Sequence, residues 1–350
     1  MKIRPYMKTA ALVAALVVVV VLVCWFRSPM GTGDELRWSA AASALDTVDV
    51  LALAETKDRP GLFALVGIDT SHKRIAPLVD LRSQGVSVIE ARFTNSERRI
   101  VLSTLGADGR SKILRADLQG TIDPDDSVPE AGAVRWGTDM DADESVLFTS
   151  LRALGDATPA SLPLGDLADW MLMAVNGSTG FALRVGEGRD AWTSPVNGEF
   201  IYLAPPGVTF AFLGQGDPDA RYVMAPYRAG TAPARLVLSH GRTLAALTYR
   251  GAADADVYAV HWDPFAMDEL GTITLPATVT GDALRDSFAL ADVGGAPGVL
   301  AAAPAGAGLA LTLSTRAEDG SMHTAWSLAL PAQITALYPT DDAIPASAAE

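Results

Sequence analysis

The chain has 350 residues, of which 27 are Lys or Arg and 41 are Asp or Glu, so its formal net charge is −14. Because phosphate binding needs a basic face, this balance predicts no nucleic-acid partner. The one cysteine, Cys24, lies in an apolar run, so the rest of the chain can form no disulfide and hold no cysteine-ligated metal.

The first predicted element is an apolar run without any charge, residues 9–26. A helix rises about 1.5 Å per residue, so this run covers about 27 Å, close to the hydrocarbon thickness of a bilayer. Three basic residues precede the run and only Arg27 immediately follows it. This asymmetry predicts a cytoplasmic N-terminus at residues 1–8 and a transmembrane signal anchor at residues 9–26, with the membrane as partner.

Two other interpretations of the run remain open. It could be a cleaved signal peptide with a small-x-small site at Gly31-Thr32-Gly33, or a lipid-attachment signal at Cys24. In all three cases the bulk of the chain is expected outside the cytoplasm, in the periplasm or at the cell surface. With an intact anchor, the protein is a single-pass membrane protein.

Residues 27–47 are predicted as a linker, and the pattern changes at residue 48. Short runs rich in β-branched and aromatic residues then alternate with Gly, Asp, Pro and Asn, which is typical of strands and turns. The clearest unit has strands at residues 99–105 and 112–118, joined by the Gly-Ala-Asp-Gly turn that starts at Gly106. An aspartate, Asp117, lies in the second strand.

This unit resembles the repeat of TolB-like and WD-repeat-like β-propellers, in which a polar turn precedes an apolar strand, an Asp/Gly loop and a strand carrying an aspartate. The polar turn here is residues 94–97. The Ser-Pro-Asp-Gly turn of the TolB-like family is missing throughout, so the repeats are degenerate. Weaker copies of the strand pair are predicted at residues 145–151 with 169–175, 208–213 with 221–227, 243–249 with 256–262, and 309–315 with 323–330.

The spacing of the turns predicts the architecture. The Asp/Gly loops begin near positions 106, 153, 214, 251 and 317, and such intervals suit a four-stranded blade with insertions. With a further copy around residues 62–75, residues 48–339 are expected to form an all-β propeller of about six blades. A seven-bladed propeller and a pair of β-sandwiches are the alternatives. Residues 340–350 are predicted to be a disordered tail.

The best predicted cation site is a run of alternate carboxylates, Asp139, Asp141 and Asp143. Carboxylates in such a loop can ligate a hard cation such as calcium. The helix–loop–helix version needs Gly and Glu where Glu144 and Ser150 stand, so a solvated acidic turn is the alternative interpretation. A weaker run of the same kind contains Asp123, Asp125 and Asp126.

Other motifs give no catalytic residue and no cofactor. The Gly-x-Ser-x-Gly elbow of α/β hydrolases is absent, since residues 176–180 lack one spacer. The same segment holds a glycosylation sequon at Asn176. The four histidines have no zinc-ligand spacing and are predicted to be structural or surface residues: His72, His240, His261 and His323.

Five tryptophans recur about once per proposed blade, either as packing residues or as an exposed rim that binds glycan or peptide. They are Trp136, Trp170, Trp192, Trp262 and Trp326. The expected function is therefore a membrane-anchored binding or scaffolding module, not an enzyme, whose partner is another envelope protein or a glycan. Because function depends on sites and not on the fold, the alternative is a propeller hydrolase or lyase with carboxylates at the central channel. A structural spacer is the third possibility.

Overall fold

Strands make up almost all of the structure, a computed structural model that describes residues 36–39, 45–56, 59–81, 86–94, 99–106, 111–117, 121–124, 133–140, 146–153, 165–176, 182–195, 199–212, 222–239, 241–277, 288–305, 308–317, 319–331 and 333–339. These residues belong to a compact unit, Leu36–Glu350. The predicted anchor at residues 9–26 and the predicted tail at residues 340–350 lie outside the described residues. Among those that are described, no helix is long and apolar enough to cross a membrane.

Twenty-five strands and one 3-10 helix, Leu167–Asp169, are found in these residues. The first four strands are β1 (Arg37–Trp38), β2 (Val50–Thr56), β3 (Arg59–Asp69) and β4 (Arg74–Asp80). The next eight are β5 (Val86–Thr94), β6 (Arg99–Gly106), β7 (Ser111–Asp117), β8 (Ile122–Pro124), β9 (Ala133–Met140), β10 (Val146–Ala153), β11 (Met171–Asn176) and β12 (Ala182–Glu187).

The second half of the chain continues in the same way. Its strands are β13 (Arg189–Thr193), β14 (Glu199–Ala204), β15 (Gly207–Phe212), β16 (Tyr222–Pro226), β17 (Pro233–Leu238), β18 (Leu244–Tyr249), β19 (Asp254–Trp262), β20 (Phe265–Thr274), β21 (Phe288–Val293), β22 (Ala296–Ala305), β23 (Gly308–Arg316), β24 (Met322–Leu330) and β25 (Gln333–Pro339).

The described strands form six sheets. Five of them are four-stranded antiparallel meanders of consecutive strands: β5–β8, β9–β12, β13–β16, β17–β20 and β21–β24. The first sheet has the order β1-β4-β3-β2-β25. Here the last strand pairs antiparallel with β2, from Val50 opposite Pro339 to Glu55 opposite Gln333. The C-terminal strand therefore completes the sheet that the N-terminal strands begin.

One strand of each sheet contacts the equivalent strand of the next sheet. These contacts run from β25 to β5, β9, β13, β17 and β21, and then back to β25. Sheets that radiate from a closed ring of inner strands are the architecture of a β-propeller, in which each sheet buries its faces against its neighbours. The prediction of an all-β propeller is confirmed.

The predicted strand pairs are found close to their expected positions, because alternating apolar runs bounded by Gly and Asp are a strong local signal. The clearest predicted unit is the hairpin of β6 and β7. The predicted linker at residues 27–47 contains strand β1, which pairs in parallel with β4. Leu36 and Leu45 from the same segment lie in the hydrophobic core.

The core lies between neighbouring sheets. Leu36, just before β1, and Ile68 of the first sheet pack in one cluster with Leu300 and Leu328 of the sheet β21–β24. Four of the five recurrent tryptophans are buried, which confirms the packing interpretation for these residues and not the exposed rim: Trp170, Trp192, Trp262 and Trp326.

Candidate functional site

A groove of about 490 Å³ opens between the fourth sheet (β13–β16) and the fifth (β17–β20). We call it the carboxylate groove. Two methionines, Met224 and Met267, line it together with a set of polar side chains. The polar set is Tyr227, Arg228, Asp254, Asp256, Tyr258, Glu269 and Thr272.

Strand alternation puts the polar groups on one wall. In a β-strand every second side chain points to the same face, so Asp254, Asp256 and Tyr258 on β19 share a face. In the pairing with β20, Tyr258 is opposite Glu269. The preceding residue, Asp268, therefore lies on the other face, where its Oδ2 is 3.3 Å from Nε2 of His261.

Arg228 and Tyr249 fix the position of Asp256. Arg228 Nε donates to both carboxylate oxygens of Asp256, at 2.9 and 3.0 Å, and its Nη2 donates to the same carboxylate. Tyr249 Oη donates to Oδ2 of Asp256 at 2.7 Å. The guanidinium also lies 4.8 Å from the centre of the Tyr249 ring and binds Asp254 through Nη1 at 3.0 Å. Hydrogen bonding to Asp256 raises the pKa of Arg228 above its ordinary value.

The tyrosines of the groove stay neutral far above pH 7. Burial raises the pKa of Tyr258 to about 12, with the nearby charges of Asp256 and Glu269 adding to the effect. Burial also raises the pKa of Tyr227 and of Tyr249. A neutral phenol keeps its proton and can donate a hydrogen bond. The groove therefore presents an exposed carboxylate, Glu269, opposite a phenol donor and beside a fixed guanidinium.

Buried ionic contacts behind the groove hold the fourth and fifth sheets together. Asp190 on β13 accepts hydrogen bonds from Arg235 Nε at 2.9 Å and from the backbone N–H of Leu236 at 3.1 Å. Arg189 is completely buried and donates to the carbonyl of Ala234 at 2.6 Å. Burial lowers the pKa of Arg189 to about 10. These contacts set the spacing of the two walls, because they join the inner strands β13 and β17.

A second cluster with metal-ligating groups lies at the turn between β3 and β4. One ligand atom each of Asp46, Asp69 and His72 lies within 4.8 Å of the others. His72 Nδ1 is 2.9 Å from Oδ2 of Asp69 and 3.5 Å from Oδ2 of Asp46. Asp69 is buried and also accepts hydrogen bonds from the backbone N–H groups of Asp46 and His72. These residues could hold a divalent ion, and the same hydrogen bonds already shape the turn.

Only one aspartate of each predicted cation run lies in the described residues. Asp139 lies in β9 and Asp123 in β8, whereas Asp141, Asp143, Asp125 and Asp126 lie outside the described residues. Three histidines belong to different sheets, namely His72 to the first, His261 to the fifth and His323 to the sheet β21–β24. His240 and the last two sequon residues, Gly177 and Ser178, lie outside the described residues.

Sequence reasoning missed both clusters. The sequence Asp69-Thr70-Ser71-His72 is a local signal for the turn, but it does not predict that Asp46, which is distant in the chain, lies beside Asp69 and His72. On β19 the alternation of Asp254, Asp256 and Tyr258 could have indicated a polar strand face. The groove lies between the outer strands β16, β19 and β20, and not at the central channel where the alternative prediction placed its site.

No protein-family profile and no curated protein matches this chain. A hypothetical selenium-binding protein from Sulfolobus tokodaii is similar in structure, with a TM-score of 0.50, 13% identity, and coverage of 79% of this chain and 76% of that chain. An oligogalacturonate lyase from Vibrio parahaemolyticus gives a TM-score of 0.47, 10% identity, and coverage of 82% and 83%. A periplasmic gluconolactonase from Pseudomonas aeruginosa gives a TM-score of 0.46 and 13% identity, with coverage of 83% of this chain and 99% of that chain.

At these identities the likeness shows the β-propeller fold, and the substrates in those names belong to those proteins. The prediction of a binding or scaffolding module that is not an enzyme is corrected here: solved structures of this fold include a lyase and a lactonase, so the fold gives no reason to exclude an enzyme. The alternative prediction, a propeller hydrolase or lyase, therefore depends on the residues of the carboxylate groove.

Proposed function

We propose that this protein is a propeller hydrolase that opens a cyclic ester, or lactone, of a neutral sugar in the carboxylate groove. The observation that carries the proposal is the pairing of Glu269 with Tyr258 beside the fixed ion pair of Arg228 and Asp256. An exposed carboxylate can act as a general base, and a neutral phenol can stabilise an oxyanion. Acyl hydrolysis needs these two functions together.

Each group has a defined role in this reaction. Glu269 takes a proton from water as the water oxygen bonds to the acyl carbon. The carbonyl oxygen becomes an oxyanion, which accepts a hydrogen bond from Tyr258. As the oxyanion re-forms the carbonyl bond, the ring C–O bond breaks and the lactone opens, and the departing oxygen takes the proton from Glu269.

Charge in the groove favours a neutral substrate. Asp254, Asp256 and Glu269 carry three formal negative charges against the single positive charge of Arg228. Like charges in a groove repel an anionic ligand. A polyanion such as a galacturonate oligomer is therefore a poor fit, whereas sugar hydroxyls can donate to carboxylates and accept from Arg and Tyr.

The test is hydrolysis of glucono-δ-lactone by the purified protein, followed by acid release at pH 7. Glu269→Gln is expected to lower kcat/KM by about 10²-fold or more, since it removes the base. Tyr258→Phe removes an oxyanion donor and is expected to cost a similar factor. Asp268→Asn is the matched control, because it changes a neighbouring carboxylate on the opposite strand face. Equal activity of wild type and Glu269→Gln would overturn the proposal.

We also propose the setting in which the hydrolase works. Residues 9–26 anchor the chain in the cell membrane, and residues 27–35 link it to the compact unit that begins at Leu36. This unit is a six-bladed propeller with TolB-like repeats outside the cytoplasm. The charge asymmetry around residues 9–26, the six described sheets and the repeat unit with strands at residues 99–105 and 112–118 support this arrangement. Membrane fractionation tests the anchor: the full chain should resist a carbonate wash, and a variant without residues 9–26 should not.

A further inference from the structure

A second groove, of about 710 Å³, opens between the third sheet (β9–β12) and the fourth sheet. We call it the proline groove. One wall is β12, with Arg184 and Glu187, and the other is the fourth sheet with the turn between β14 and β15. Side chains from the fourth sheet and this turn include Tyr202, Pro205, Pro206 and Val223.

The two grooves lie on opposite faces of the same sheet. Val223 lines the proline groove, whereas the next residues of β16, Met224 and Ala225, line the carboxylate groove. The change of face coincides with a shift in the pairing of β16 with β15 at this point. Both grooves reach the same end of the sheet, where Gly207 pairs with Pro226. A hydrogen bond of 2.5 Å joins their linings there, from Tyr227 Oη to the carbonyl of Ala204. A single outer strand therefore separates them.

We propose that the proline groove binds the remote units of an oligosaccharide whose terminal lactone reacts in the carboxylate groove. The substrate class is then a neutral oligosaccharide and not a single sugar. This inference rests on the proposed function, because it assigns the reacting end to Glu269 and Tyr258. It adds that the chain of the substrate crosses the end of β16.

The lining of the proline groove fits such an occupant. The formal charges of Arg184 and Glu187 cancel, so the groove suits a neutral ligand, and both side chains are exposed and can hydrogen-bond to hydroxyl groups. The exposed rings of Pro205 and Pro206 offer apolar surface for the C–H faces of sugar rings. Val223 is 49% exposed and adds a further apolar contact.

The test uses the full chain and two series of probes, aldono-δ-lactones of cello- and malto-oligosaccharides with one to five sugar units. In the wild type, kcat/KM is expected to be about tenfold higher for lactones of three or more sugar units than for the single-unit lactone, in whichever of the two series fits the proline groove. The rise is expected because the longer substrates add contacts in that groove. Val223→Arg introduces bulk and charge in the proline groove and is expected to abolish this rise in kcat/KM with substrate length. Tyr222→Arg is the control and should keep it, because Tyr222 is the neighbouring exposed residue of β16 and belongs to the lining of neither groove.

Two results would overturn the inference while the proposed function stands: hydrolysis of gluconolactone without any gain from chain length, or a gain that Val223→Arg leaves intact. If no lactone is hydrolysed, the proposed function fails and binding decides the inference separately. Calorimetry with the unreactive cello- and malto-oligosaccharides is then expected to show tighter binding of a four-unit chain than of a two-unit chain, lost in Val223→Arg. Absence of binding to both series would overturn the inference as well.

Discussion

At the residue scale, the geometry of the carboxylate groove depends on Asp256. Its carboxylate accepts hydrogen bonds from Arg228 and from Tyr249, and its side chain is only 9% exposed. Asp254 binds the same guanidinium, but its side chain is 42% exposed. Because water can replace a partner at an exposed carboxylate and not at a buried one, the two aspartates should contribute unequally to stability.

We therefore expect Asp256→Ala to lower the free energy of unfolding by about 3 kcal/mol, since it leaves Arg228 and Tyr249 without their shared buried acceptor. Asp254→Ala is the matched control and should cost less than about 1 kcal/mol. Urea unfolding at pH 7, followed by tryptophan fluorescence, measures both values. Equal losses in the two variants would contradict the role given to Asp256.

Tyr258 makes stability depend on pH at the alkaline end. Its pKa is raised to about 12 in the folded protein, whereas an unfolded tyrosine titrates near about pH 10. The folded state holds this proton more tightly, so the contribution is present below about pH 10 and is lost as the pH rises toward 12.

The free energy of unfolding of the wild type, minus that of Tyr258→Phe, should therefore decrease steadily between pH 9 and pH 11. The wild type is expected to lose stability relative to the variant as the pH rises, because only the wild type carries this phenol. Urea unfolding at pH 9, 10 and 11 measures the difference. A difference that stays constant over this range would show that the folded Tyr258 titrates like an unfolded tyrosine.

At the element scale, strand β1 belongs to the first sheet although it has only two residues. Arg37 and Trp38 pair in parallel with Arg74 and Ile75 on β4. Leu36, just before the strand, is 1% exposed. A short edge strand has few hydrogen bonds, so this buried leucine should provide most of the attachment.

Leu36→Ala is expected to lower the free energy of unfolding by about 2–4 kcal/mol, because it leaves a cavity in the core between the first and last sheets. Arg37→Ala, at the exposed neighbour, should change it by less than about 0.5 kcal/mol. Thermal unfolding of both variants provides the comparison. If Leu36→Ala unfolds at the same temperature as the wild type, then the chain before β2 does not help to hold the domain together.

The sequence predicts the local hairpins of the fold, but not the short edge strand or the contacts of the candidate site. The hairpin of β6 and β7 is predictable because its strands, its turn and its spacing are all local in the chain. Strand β1 is not, because a two-residue pairing leaves no periodic pattern. The contact of Arg228 with Asp256 is also not predictable, since it spans 28 residues and joins the connection between β16 and β17 to strand β19. Only the stacking of neighbouring blades brings these two residues together.

At the scale of the whole molecule, the closed ring creates both grooves. Each groove lies between two sheets, and the distance between those sheets depends on the ring of inner strands. The ring closes where β25, from the C-terminal end of the chain, pairs with β2. In repeat architectures each unit is stabilised mainly by its neighbours, so a lost closure should affect every blade and not only the first.

Removal of β25 should therefore unfold the propeller as a whole. A chain ending at residue 332 is expected to lose the cooperative unfolding transition of the full chain, since β2 loses its partner and the sheets β5–β8 and β21–β24 lose an inner neighbour. A chain ending at residue 340 is the control and should unfold as the full chain does, because it keeps every strand of the ring. Urea unfolding followed by tryptophan fluorescence distinguishes the two. If the chain ending at residue 332 keeps the urea midpoint and the cooperativity of the full chain, then the pairing of β25 with β2 does not stabilise the fold.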